Sequence, residues 1–104
     1  RAYLETYYTR HHKVAEYAAL LSVTPGHLNV LCQQQMGRSA SRMIMDRIFS
    51  EASRMLSHST IDIATLAESL GFANASHFSR SFKREVGQSP LHYRQVGRAD
   101  SDLL

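Results

Sequence analysis

The sequence predicts an all-α chain of about seven helices, arranged as two helix-turn-helix subdomains joined by a long central helix. Three observations carry this. Apolar residues recur at helical spacing along most of the chain and are punctuated by glycine and proline. A pattern repeats: Val14, Ala15, Ala18, Leu21 and Ser22 match Ile63, Ala64, Ala67, Leu70 and Gly71 at an offset of 49 residues. Beyond the turn, His27, Leu28, Gly37 and Ser39 match His77, Phe78, Gly87 and Ser89 at an offset of 50. Between the copies lies a long amphipathic stretch. The expected divisions are residues 1–38 and 59–96 for the two subdomains, 39–58 for the linker helix and 97–104 for a tail.

The opening residues 1–13 pair Tyr3 with Tyr7 and Leu4 with Tyr8 at i, i+4, which predicts a first helix bracing the first lobe. His11 and His12 are adjacent, so on a helix they point in different directions. No Cys or His partner stands at metal-ligand spacing, so both are expected in solvent and no metal or other cofactor is expected. Val14, Tyr17, Ala18 and Leu21 form the next stripe. Ser22-Val23-Thr24 then makes a turn into Pro25, a good first helical residue after a threonine cap. Alanine at positions 18 and 67 lets the paired helices cross closely. Gly71 suits a turn with positive φ, whereas Ser22 at the matching place must accept a less comfortable conformation or a different turn.

Ser39 can cap a helix through Ser57 with Ile44, Met45, Ile48, Phe49, Ala52, Met55 and Leu56 on one broad apolar face. Its length of roughly 28 Å follows from the rise per residue. In the second copy Thr60 is a cap-type residue with Asp62 just inside, and Ile63, Leu66, Ala67 and Leu70 run to Gly71. Asn74 can cap a helix to about Val86, Gly87 closes it, and Ser89-Pro90 opens another. The final GRADSDLL has no firm pattern and reads as a frayed tail.

With 104 residues, 43% of them hydrophobic, the chain can form one compact domain or two small lobes sharing a helix. A formal charge of +3 and an isoelectric point near 9.4 suit a negatively charged partner. No run of 18 apolar residues and no signal peptide occurs, so no membrane association and a cytoplasmic, nucleoid-associated location are expected. The chain begins at Arg1 rather than methionine, from which a missing effector domain is expected. Cys32, the single cysteine, cannot form an internal disulfide. It falls beside Leu28 and Leu31 as a small core residue; a reactive thiol is the rival reading, and no neighbouring base supports it.

The chemistry sits on the second helix of each pair. Residues 74–86 place Ala75, Phe78, Phe82 and Val86 on one side and Ser76, His77, Arg80, Lys83 and Arg84 on the other. A cationic face opposite a packing face suits phosphate, with a merely solvated face as the alternative. The matching positions of the first copy are Val30 for Arg80, Gln33 for Lys83 and Gln34 for Arg84, so the charge is absent there. Asn29, Gln33 and Gln34 remain able to hydrogen-bond base edges or phosphates, and Val30 to touch a thymine methyl.

Gly71-Phe72, Ser76, Phe78-Ser79-Arg80, Phe82-Lys83, Gly87, Ser89-Pro90 and Tyr93-Arg94 closely resemble the signature that ends AraC/XylS-type bacterial transcription regulators. The resemblance runs from about Lys13 to Arg94 and is weaker in the first half. It implies the DNA-binding domain of a regulator, without catalysis, whose two recognition helices enter successive major-groove segments of an operator. RNA polymerase is a further candidate partner. Base-reading positions carry over to Gly26, Asn29 and Val30 in the first helix and to Ser76, His77 and Arg80 in the second. Gln33 joins the first set as a base reader, and Lys83, Arg84 and Gln34 are assigned to phosphate. Gly26 and Val30 depart from the family, where larger polar or basic side chains are more typical. The alternative is a helical protein-protein interaction module without DNA specificity of its own.

Overall fold

The computed structural model describes residues 2–10 and 12–103, with the backbone alone for residues 2 and 98–103; His11, and with it half of the histidine expectation, lies outside them. Seven helices follow in order: α1 (Ala2–Tyr7), α2 (Val14–Leu20), α3 (Pro25–Met36), α4 (Ala40–His58), α5 (Ile63–Ser69), α6 (Ala75–Val86) and α7 (Pro90–Leu103). Among the described residues there is no strand. The chain divides into two compact units, Arg1–Ile48 and Phe49–Leu104, so the boundary falls inside α4. Ala40, Ile44 and Ile48 are buried residues of the first unit, and Phe49, Ala52 and Leu56 of the second.

In the first unit the core is Tyr17, Ala18 and Leu28 with the apolar side of the first half of α4. Ala18 is 1% exposed, as a close helix crossing requires. α1 is six residues long rather than reaching position 13, and residues 8–10 form a turn. That turn brings Tyr8 under Arg47, whose guanidinium lies 4.3 Å from the ring centre while its Nε donates to Glu5 at 2.8 Å. Tyr3 and Tyr7 stack at 6.1 Å. The short helix is thus held by contacts with α4 rather than by its own length. Leu21, expected in the apolar stripe, is exposed, whereas Leu70 at the same C-cap position of α5 is buried. His12 is half-buried rather than in open solvent.

The second unit is built on phenylalanine. Phe78 and Phe82 are fully buried, 5.7 Å apart, and Phe72 packs on Phe78 at 5.2 Å. Phe49 touches both Phe72 and Phe82, and Tyr93 meets Phe82 edge-on at 5.5 Å. Asp62, not Thr60, caps α5: its carboxylate accepts the Thr65 N–H at 2.7 Å. An ionised acceptor stabilises the positive end of a helix more than a hydroxyl does. The same hydrogen bonds, Thr65's first, hold the Asp62 carboxyl below the usual carboxylate range. Arg94 is 7% exposed and its Nε donates to the Leu56 carbonyl at 3.0 Å, in the last turn of α4, where carbonyls have no intrahelical partner. Residues 97–103, expected as a patternless tail, continue α7, because once Ser89 and Pro90 start the helix nothing before Leu104 forces it to stop.

The duplication is visible in the backbone. α2 and α5 have seven residues each, and α3 and α6 twelve each. At the end of α2, Val23 N–H donates to Ala18 and Ser22 N–H to Ala19; at the end of α5, Phe72 N–H donates to Ala67 and Gly71 N–H to Glu68. Both are the Schellman arrangement, with a left-handed residue at the turn: Ser22 at φ 57° and Gly71 at φ 85°. Ala73 is the extra turn residue of the second copy, before Asn74 accepts the His77 N–H as Thr24 accepts that of His27.

Candidate nucleic-acid interface

α6 turns a cationic face outward because its other face is used up in packing. Phe78, Ser81 and Phe82 are buried, whereas Ser76, His77, Arg80, Lys83 and Arg84 are all exposed. Among the described residues no ion pair holds Arg80 or Lys83, and Arg84 has a long contact to Glu85, Nε to Oε1 at 3.7 Å. His77 stands edge-on to Phe72, ring centres 5.3 Å apart, so the first turn of α6 is steadied by the residue that closes the preceding Schellman turn. Three cations on one exposed face repel weakly in water, and a row of phosphates reverses that cost.

α3 offers a different surface. Gly26, Asn29, Val30, Gln33 and Gln34 are exposed, and Leu28 is the buried anchor. A Cβ at Gly26 would meet nothing within 4 Å, so the bare backbone there is not required by packing. Asn29 is already engaged: its Oδ1 accepts the Ala40 N–H at 3.0 Å. That bond uses one of the two lone pairs of the amide oxygen and fixes the orientation of the side chain. The signal was in the repeat. Ala40 stands where Pro90 does in the second copy, and proline has no N–H to satisfy. Cys32 lies half-buried in an apolar recess with Leu28, Leu31 and Met43.

The comparisons with known proteins fit this geometry. Residues 17–96 match the family described as a helix-turn-helix domain. The chain belongs to the AraC-type helix-turn-helix family. This AraC-type chain is 34% identical over 84 residues to the arabinose operon regulatory protein of Salmonella typhimurium, a match that covers 81% of the chain and 30% of that regulator. The chain therefore spans less than a third of the length of that relative. Among solved structures it is similar to the C-terminal domain of AraT, a response regulator from Geobacillus stearothermophilus. The TM-score there is 0.82 at 25% identity, covering 91% of this chain and 79% of that one. The DNA-binding domain of the global transcriptional factor AdpA, solved with a target DNA, shares the fold with TM-score 0.79 and 23% identity, covering 93% and 86%. The relatives this chain matches are named as transcriptional regulators rather than enzymes. Among the described residues no helix is long and apolar enough to cross a membrane, and no cluster of side chains suits a metal ion.

Proposed function

We propose that this chain is a sequence-specific, double-stranded DNA-binding domain of a bacterial transcriptional regulator, with α3 and α6 as the recognition helices. The observation that carries the reading is the exposed Arg80, Lys83 and Arg84 on a helix whose opposite face is locked by Phe78 and Phe82. A helix so held presents its outer residues to a groove without having to order them first. Arg80 suits bidentate contact with guanine O6 and N7, Ser76 and His77 add single base contacts, and Lys83 and Arg84 take phosphate. In α3, Asn29, Val30 and Gln33 are the base-reading candidates, and Gln34 reaches phosphate. Of the two recognition helices, α6 supplies most of the electrostatic hold and α3 makes the more permissive contact. Sensing of an effector and contact with RNA polymerase belong to the full regulator, working at the bacterial nucleoid.

The test is a series of binding titrations across salt concentration on one two-part site taken from a random duplex library. Lys83→Ala should weaken binding to every duplex and reduce the magnitude of the salt slope by about 0.9. Arg80→Ala should cost roughly 1 to 3 kcal/mol at one base pair in the half-site under the second unit. Gln33→Ala should leave the slope nearly unchanged. Equal losses on scrambling either half of the site, or a Gln33→Ala slope as flat as that of Lys83→Ala, would reject the division of labour. No duplex binding even at low salt would reject the function itself.

A further inference from the structure

α3 has no cation on its outward face, yet the residues that follow it do. Arg38 comes directly after Gly37, the left-handed C-cap of α3, and Arg42 lies in the first turn of α4. Both are held by one carboxylate: Arg38 Nη1 donates to Asp46 Oδ2 at 2.6 Å and Arg42 Nε to Asp46 Oδ1 at 2.9 Å. Ala40, between the two arginines, is the residue whose N–H is bonded by Asn29 of α3. The pair therefore borders the edge of α3 that carries Asn29 and, one turn on, Gln33. None of this exists in the second copy, where Gln88, His92 and Val96 stand at the places of Arg38, Arg42 and Asp46.

We infer that Arg38 and Arg42 are the phosphate-binding groups of the first unit, held in position by Asp46 until a DNA backbone replaces it. The inference rests on the DNA-binding reading above and names a partner surface outside the recognition helix. Two guanidinium groups on one carboxylate leave a surplus positive charge. The side chains are well hydrated, Arg38 at 59% exposure and Arg42 and Asp46 at 42% each, so the ion pairs are weak ones. A guanidinium has five N–H donors in a planar fork, and phosphate matches that fork bidentately. Asp46 keeps two flexible side chains gathered beside α3, which lowers the ordering cost when phosphate arrives. It also acts against binding, because its charge must be displaced or repelled. The charge missing from α3 is thus supplied from the next turn, and the two units hold the backbone with different elements.

The experiment titrates the full chain against its selected duplex and against a scrambled duplex of equal length, over a salt series. Arg38→Gln and Arg42→Gln should each reduce the magnitude of the salt slope by about 0.9, on both duplexes alike. Asp46→Asn should raise affinity about two- to fivefold at low salt, the scale of the ion pairs it removes. That gain should vanish in the Arg38→Gln/Arg42→Gln background. A gain that persists there is a general effect of net charge and overturns the inference, as do unchanged slopes in both arginine variants. If those slopes are unchanged while Lys83→Ala still flattens its own, only this inference fails. If the wild-type chain binds neither duplex, the DNA-binding reading fails with it.

Discussion

Ser22 shows most directly how a single side chain can be at odds with its place. It is the one non-glycine residue with positive φ among the described residues, and Gly71 takes the equivalent turn in the second copy. Left-handed backbone costs an L-residue roughly 1–2 kcal/mol, partly offset on substitution by the greater freedom of glycine in the unfolded chain. Ser22→Gly should therefore stabilise the first unit by about 0.5–1 kcal/mol, seen as a rise in melting temperature. Gly71→Ser should move it the other way. This strain was legible from the repeat alone, because the copies had to make the same turn with different residues. The Asn29 bond left a fainter trace there, Ala40 standing opposite Pro90 with an N–H that the proline lacks. Tyr17 gives a pH test. Burial, with Glu16 adding to it, pushes its phenol up to about 12 from the ordinary 10. The stability this implies is complete below pH 10 and is lost as pH rises through about 12. In alkaline melts Tyr17→Phe should lack that part of the decline.

Among the elements, α6 ties the fold most closely to the proposed interface, since the same twelve residues carry the phenylalanine core and the cations. Phe82→Ala removes a ring with no exposed surface that touches Phe49, Phe78 and Tyr93, and should cost about 3 to 5 kcal/mol. A thermal melt that barely shifts would mean α6 is not held by this face, and DNA affinity should fall with stability. α3, α4 and α6 were readable because their ends are written locally: Thr24 before Pro25, Ser39, Asn74, and glycines at positions 37 and 87. α1 was overestimated because periodicity alone cannot say where a helix ends, and α7 was cut short at Gly97, a residue type that usually ends a helix and here lies inside one. For α5 two cap-type residues compete within a few positions, and the choice of Asp62 over Thr60 depends on charge rather than pattern.

At the scale of the whole molecule, the apolar stripe of α4 runs unbroken through Ile48 and Phe49, so no feature of the sequence marks the seam between the units. Which core each half of the helix serves depends on partners distant in sequence, Tyr17 and Leu28 for one, Phe72 and Phe82 for the other. The helix itself was legible; its divided allegiance was not. We expect α4 to act as a stiff connection between two readers of DNA. Replacing Ser50 and Ser53, which lie outside the core, by glycine costs roughly half a kcal/mol of helix propensity per site. Affinity for a two-part site should then fall while affinity for either half alone stays constant. Unchanged affinity and unchanged preferred spacing in a selection experiment would argue against stiffness.

The seam inside α4 also bears on whether these units can be traded. Domains joined by loops can be cut, shuffled and fused anew with little damage, because the cut removes no packing from either side. A gene fragment stopping after Ile48 would carry the first unit on a helix whose last turns are missing, and one starting at Phe49 would open the second unit on an uncapped helix. A chimera that takes its second reader from another protein must therefore accept a graft in the middle of a helix, in register, with Phe49, Ala52 and Leu56 travelling alongside Phe72 and Phe82.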